Sequence, residues 1–520
     1  MKGSPSQISE IAREAIANND WHRVTACAME IARQMPDNPD APFLMGLAQK
    51  AARRPDAAAK YFAKALSLDA DRYDAAVELA SQGVLLNNHS KARDLLDQYR
   101  ELLQTNPYYL DLAGQVYFAM SLYEEAWPLY EQAVRLQPRN ETFQEHMASC
   151  AVYLGRIDTA KKIYIKLLKR HPRHQRSHYE LANLGRVRND RHIRQMLKVL
   201  KKSQSNPASN IYLYYALGKE YEDLGRWGDA FRYYSEAGSA VKTVANYDVA
   251  DDVRLMDKII EICSAEWLQD SPATKKTSKT PVFIVGLPRT GTTLTDRILS
   301  SHSQVQSVGE SQLLQMVLRD GARAGNQVGI TPAQIEIASH RDAGSIAEAY
   351  VDAVAHKLGD EPYFIEKLPE NVLYLGFIAK SWPNARIVHL QRHPMDACFA
   401  AYKQSFFRFA YSLDDVARYY LAYDRLSRHW RETLGSRMVE LRYEDLVADQ
   451  EAQTRRLLDT LGFEFEDACL QFEQNATPVA TASSVQVREK LHTRSVGRWK
   501  KFERQLQPLR EQLEQGGVVV

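Results

Sequence analysis

The 520-residue chain has an ordinary globular composition, 45% hydrophobic and 25% charged, with a net charge of +2. That near balance argues against a general binder of nucleic acid or membrane surfaces, and the length allows two or more domains with separate cores. Cys27, Cys150, Cys263, Cys398 and Cys469 are scattered, odd in number and without a CxxC. They speak against a disulfide framework or a zinc site and for a reducing compartment. No apolar leader opens the chain and no run approaches the length of a membrane span, so a soluble, cytoplasmic protein is expected.

Small residues recur every 34 positions at Ala12, Gly46, Ala80, Gly114, Ala148 and Ala182. A second small column, Ala58, Ala92, Ala126 and Ala160, keeps the same period, and four residues after each stands a bulky one: Phe62, Leu96, Tyr130 and Tyr164. Two antiparallel helices pack closely only where a small side chain on one meets a large one on the other. Period and register resemble those of the tetratricopeptide repeat (TPR). The period slips after Ala182, where Arg194 takes the next small position, and recovers at Gly218, Tyr221, Ala230, Tyr234 and Ala237. Six or seven hairpins over residues 5 to 240 are expected to stack into a solenoid, with Tyr117 and Tyr221 in its core. Its concave face suits an extended peptide or another subunit. Residues 241–270 read as further helices, and the polar, aperiodic SPATKKTSKT (271–280) as a linker. The expected division is a helical solenoid over 1–270, the linker, and a second domain over 281–520.

PVFIVGLPRTGTTL (281–294) opens that domain. Pro281 to Val285 is a short apolar run of the kind that forms a buried strand. Gly286 to Gly291 is a tight turn, and Thr292 onward has the spacing of an amphipathic helix. Such a turn into a helix N-terminus forms a cup of backbone N–H groups that binds a phosphate-like anion. The nucleotide P-loop needs a lysine after its second glycine; Thr292 stands there, and Arg289 is the loop's cation. Further on, PYFIEK (362–367), RIVHLQR (386–392) and RMVELRY (437–443) read as strands with helical segments between them. The alternation predicts a parallel sheet, giving a two-domain fold: an all-α solenoid followed by an α/β, P-loop-like domain. Lys367, Arg392, Tyr443 and the glycine loop all fall at carboxyl ends of strands, where such sheets bind ligands.

PVFIVGLPRTGTTL, RIVHLQRHPMDACFAAY and LRYEDLV resemble the motifs of sulfotransferases that use 3′-phosphoadenosine 5′-phosphosulfate (PAPS). The branch most similar holds the tyrosylprotein sulfotransferases and bacterial sulfotransferases fused to tetratricopeptide repeats. The resemblance implies that Arg289, Thr290, Gly291, Thr292 and Thr293 wrap the 5′-phosphosulfate, and that Arg392 grips the 3′-phosphate. The family's serine eight residues on is Ala400 here, a missing contact worth about 1.5–3 kcal/mol unless Ser405 or water replaces it. His393 replaces the usual aspartate and is given no catalytic role. The resemblance further places Tyr443 near the adenosine, and Ser483, Ser484 and Arg498, beside Trp499, in the donor site.

Sulfuryl transfer is an in-line displacement whose catalyst positions the reactants and stabilises charge. The resemblance assigns the base to Glu310 and the transition-state cation to Lys367, with Ser483 and Arg289 assisting, and no metal. His302 is the lesser candidate for the base. Gln312 to Met316, where the tyrosylprotein branch carries arginines that read acidic peptides, is uncharged. The acceptor hydroxyl therefore stays open among protein tyrosine, glycan and small molecule, with the repeats recruiting acceptor or forming a homodimer. Against an active enzyme stand a TPR scaffold with a catalytically degenerate nucleotide module, weakened at Ala400, and a P-loop kinase, which the absent lysine disfavours.

Overall fold

The computed structural model describes residues 5–203, 206–270, 279–319, 329–481 and 483–520. The chain divides into two compact units, residues 1–154 with 353–356, and residues 155–352 with 357–520. The first is built of helical hairpins: Pro5–Ala17 with Trp21–Gln34, Asp40–Ala51 with Pro55–Leu68, Tyr73–Leu85 with His89–Tyr99, and Pro107–Ala119 with Tyr123–Leu136, then Glu141–Tyr153. The small-against-large logic holds in detail. A Cβ at Gly46 would stand 2.5 Å from the Phe62 ring, and one at Gly114 would stand 2.7 Å from the Tyr130 ring. Tyr117 is buried, as is Tyr221 in the second unit. A further column emerges in the tight turns between consecutive helices. Asn19, Arg53, Asn87, Ser121 and Gly155 are spaced by one repeat and all have positive φ, between 55° and 74°.

The second unit continues with helices Ile157–Arg170, Gln175–Asn183, Arg191–Lys202, Ile211–Asp223, Trp227–Lys242 and Val249–Ile262. The slip after Ala182 corresponds to a nine-residue helix, Gln175–Asn183, and to a 3-10 turn at Pro207–Asn210 that delays the next hairpin. Of the expected linker 271–280, residues 271–278 lie outside the described residues. The compact unit begins at residue 155, so these helices pack together with the α/β part. Trp227–Lys242 lies on helix Pro394–Tyr402, with Phe231 stacked on Tyr402 at 6.0 Å and Tyr234 at 6.5 Å from Phe399. Gly238 permits that approach, since a Cβ there would collide with the Tyr411 carbonyl oxygen.

The sheet has five parallel strands: β1 (Thr280–Gly286), β2 (Val305–Gly309), β3 (Tyr363–Glu366), β4 (Arg386–Gln391) and β5 (Met438–Arg442), in the order β2-β3-β1-β4-β5. The two strands beside β1 pair Val282 with Ile365 and Ile284 with Val388. β1 is central and buried from Pro281 onward, with Val282, Ile284, Val388, Leu390 and Leu441 in one apolar cluster. This is why it reads as a continuous apolar run rather than an alternating one. The strand order reverses between β1 and β4, the place where such sheets open a ligand crevice.

Candidate active site

Each of the five strands delivers a candidate residue just past its carboxyl end. Glu310 follows β2, Lys367 follows β3, the glycine loop follows β1, Arg392 follows β4 and Tyr443 follows β5. The sequence missed β2, because VQSVG carries only two buried apolar residues, Val305 and Val308.

The loop between β1 and helix Thr292–Leu299 is fixed at both ends. Leu287 N–H donates to Tyr423 Oη at 3.1 Å, and that hydroxyl lies 2.8 Å from His389 Nε2. Thr290 Oγ1 donates to the Leu287 carbonyl at 2.7 Å, so its one hydroxyl proton is already used. Arg289 stands at φ 70°, uncommon for a residue with a side chain and characteristic of functional loops. Gly291 caps the helix at φ 106°, and a Cβ there would stand 2.7 Å from Tyr443 Cδ2. Thr292 and Thr293 are buried in the first turn, with Thr293 Oγ1 3.3 Å from Thr481 Oγ1.

Two guanidinium groups converge on this loop. Arg289 Nη1 donates to Ser483 Oγ, and its Nη2 to Gln486 Oε1 at 3.0 Å. Arg392 Nη1 donates to the Arg289 carbonyl at 2.8 Å and its Nη2 to the Ser495 carbonyl, with its Cζ 4.8 Å from the centroid of the Tyr443 ring. Among the described residues neither arginine has a carboxylate hydrogen-bonded or ion-paired to it, and the Nε of each is buried without a partner. Burial and then Arg392 push Arg289 down to about 10, still charged at neutral pH. Such an arrangement calls for an anion.

Beside it, Lys367 is fully buried and its Nζ donates to Glu310 Oε1; the Glu310 side chain keeps 31% exposure. Asp296, in the loop's helix, is raised by burial and opposed by nearby Lys367 and Ser307. Burial pushes Glu370 to about 7. His302 is occupied elsewhere: its Nε2 lies 3.0 Å from the Glu464 carbonyl, and Nδ1 accepts from Gln304 N–H at 3.1 Å. It is a structural histidine. His393 stacks on Trp499 with ring centroids 5.6 Å apart, and burial lowers its pKa.

Ser484 is buried, its N–H on the Thr481 carbonyl at 3.0 Å, one residue beyond the Ser483 that meets Arg289. Arg498 is joined to Glu222, Nε to Oε1 at 3.0 Å. Ala400 offers no hydroxyl, and Ser405 Oγ is spent on Tyr179 Oη at 3.2 Å. Sequence reasoning missed Gln486, Glu222 and Asp396. Asp396 accepts from Gly497 N–H at 2.6 Å and Trp499 N–H at 3.0 Å, pinning the Arg498 segment to helix Pro394–Tyr402. A buried aspartate four residues after Arg392 was the available signal; Glu222 carried none, lying 276 positions from Arg498.

Among the described residues no helix is long and apolar enough to cross a membrane, and no group of three or more His, Cys, Asp or Glu is placed to hold a metal. Residues 281–467 match the Sulfotransferase family, and residues 43–107 and 147–192 match the Tetratricopeptide repeat family. An uncharacterized Aquifex aeolicus protein is similar at 28% identity over 421 residues, 79% of this chain and 55% of that one. The chain thus spans about half the length of this relative. A Caenorhabditis briggsae protein provisionally named a protein-tyrosine sulfotransferase is 23% identical over 231 residues, 42% of this chain and 80% of that one. The sulfotransferase domain of the Synechococcus PCC 7002 olefin synthase aligns at 21% identity and a TM-score of 0.34, over 44% of this chain and 91% of that one. The glycine loop, Glu310, Lys367, Arg392 and Tyr443 all lie within the stretch that matches the Sulfotransferase family, and the matches to the Tetratricopeptide repeat precede it.

Proposed function

We propose that the chain is a PAPS-dependent sulfotransferase, moving a sulfuryl group to an acceptor hydroxyl by in-line displacement. The observation that carries this reading is the pair of arginines that converge at the sheet's switch point, Arg289 in the glycine loop after β1 and Arg392 just past β4. Each is without a carboxylate partner among the described residues, and each has a buried, unpartnered Nε. The residues fit the donor: Arg289, the backbone of Thr290 and Gly291, and Thr292 and Thr293 for its 5′ end, and Arg392, Tyr443, Ser484 and Arg498 for its nucleotide. When bound, the donor supplies a sulfuryl group on a phosphate leaving group.

The chain's own residues supply position and protons. Glu310, partly exposed beside buried Lys367, is the base that takes the acceptor proton. Lys367 spends one of its three N–H donors on Glu310 and keeps the others for charge on the leaving oxygen. Ser483 holds Arg289 in place and adds a hydroxyl. The acceptor is a protein tyrosine, glycan or small molecule, and the repeats recruit it or join two copies of the chain; a cytoplasmic setting fits the five buried cysteines, which form no disulfide.

The test is a calorimetric titration with 3′-phosphoadenosine 5′-phosphate (PAP) alongside transfer of radiolabelled sulfate from the donor to a cell lysate. Arg289→Ala and Arg392→Ala are expected to abolish nucleotide binding. Glu310→Ala is expected to spare binding and cut transfer by roughly 10²–10⁴-fold. Binding of ATP but not of PAP would sink the reading. Nucleotide binding without transfer in the unaltered protein would favour the scaffold reading, to which the missing hydroxyl at Ala400 lends support.

A further inference from the structure

The side chain of Arg498 is held by a helical hairpin distant in sequence, and its backbone by a helix of the α/β part. Its backbone is held through Asp396, which takes the N–H groups on either side, at Gly497 and Trp499. Its side chain lies over the Trp227 ring, 4.6 Å from the centroid, and its Nε donates to Glu222 Oε1 at 3.0 Å. Trp227 opens helix Trp227–Lys242 and Glu222 lies in the last turn of helix Ile211–Asp223, so both belong to one hairpin. Glu222 is otherwise fully used: Lys403 Nζ reaches its two oxygens at 2.9 and 3.1 Å, and Tyr234 Oη donates at 2.9 Å. The two terminal nitrogens of Arg498 have no hydrogen-bond partner among the described residues. Three residues before Arg498, the Ser495 carbonyl accepts from Arg392. One short segment therefore joins the two arginines.

Gripping a guanidinium by Nε fixes its plane and leaves its far edge, with parallel N–H groups, for a bidentate oxyanion. We propose that Glu222 and Trp227 are positioning residues for the donor site: they hold Arg498 with its outer edge available to the 3′-phosphate of a nucleoside 3′,5′-bisphosphate. The inference rests on reading Arg498 as a donor-binding residue. It makes the hairpin part of nucleotide recognition rather than a neighbour of it. Lys403 shares the same carboxylate, so Glu222 orders two cations near the position where Ala400 lacks its hydroxyl.

The test measures the affinity of the full chain for adenosine 3′,5′-bisphosphate and for adenosine 5′-phosphate, which lacks the group in question. The unaltered chain is expected to prefer the bisphosphate. Glu222→Gln and Trp227→Leu are each expected to reduce that preference about tenfold or more while leaving adenosine 5′-phosphate affinity unchanged. In an Arg498→Met background, Glu222→Gln is expected to add nothing; with Arg498 present, Glu222→Asp is expected to keep part of the preference that Glu222→Gln loses. Retention of the preference in both hairpin variants, or equal weakening of both nucleotides, would overturn the inference while leaving the donor reading intact. If the unaltered chain binds neither nucleotide, the donor reading fails and this inference with it.

Discussion

Gly291 shows how much one side chain's absence can decide. Its φ of 106° is costly for any other residue, and the Tyr443 ring occupies the space a Cβ would take. Gly291→Ala is therefore expected to weaken PAP binding for two separable reasons, strain and displacement of Tyr443. Because Tyr443 is itself a nucleotide contact in the proposed donor site, adding Tyr443→Ala should recover none of the lost affinity by calorimetry; a tighter-binding double variant would mean that Tyr443 is not such a contact. Glu366, the last residue of β3, is a second residue with a measurable signature. It is fully buried, accepts from Tyr350 Oη at 2.6 Å and from Ser311, and burial raises it from an ordinary 4.5 to about 7. Because the folded state binds this proton more tightly, its contribution to stability is fully present below pH 4.5 and is lost as pH rises through about 7. Glu366→Gln is expected to flatten the fall in stability between pH 5 and 8 seen by urea unfolding; an unchanged slope would assign that fall to other groups such as Glu370. What the sequence could not supply at this scale were partners. Arg289, Lys367 and Arg392 were legible as cations at strand ends, but Gln486 reaches Arg289, Asp396 the backbone beside Arg498, and Glu222 the Arg498 side chain only through the folded chain.

At the scale of elements, the repeat was legible because its helices are held by size. Gly46 against Phe62, Gly114 against Tyr130 and Gly218 against Tyr234 each leave a gap that a methyl group overfills, the added Cβ falling 2.5–2.7 Å from the ring. Gly114→Ala is expected to destabilise the first unit by about 1–3 kcal/mol in thermal unfolding. No loss would mean that Tyr130 swings aside freely. The turn column Asn19, Arg53, Asn87, Ser121 and Gly155 was not legible, although its period is the same. A left-handed turn constrains backbone, and residue types as different as arginine and glycine satisfy it, so no composition marks the column. β2 escaped for a related reason: an edge strand needs only one apolar face, and Val305 and Val308 provide too little pattern to see.

At the scale of the whole molecule, the polar stretch 271–280 marks our proposed border between helical and α/β segments, while the compact unit starts at residue 155. The reason lies in the seam that helix Trp227–Lys242 makes with the α/β part. Phe231 stacks on Tyr402, Trp227 meets Phe502 at 5.5 Å, Gly238 lies against the Tyr411 carbonyl, and Lys242 Nζ reaches Asp415 at 2.7 Å. Removing everything before residue 279 would strip aromatic cover from Phe399, Tyr402 and Phe502, and would leave Lys403 and Arg498 without Glu222. Exposing such a patch invites aggregation, and two cations deprived of a shared carboxylate repel. A fragment spanning 155–520 is therefore expected to stay monodisperse and to bind PAP within a few-fold of the full chain. A fragment spanning 279–520 is expected to aggregate or, if soluble, to lose its preference for the bisphosphate over adenosine 5′-phosphate. Chromatography with in-line light scattering, followed by titration of whichever fragments are monodisperse, reads both outcomes. Full bisphosphate preference in the shorter fragment would place the whole donor site after residue 279 and make the hairpins a separate body.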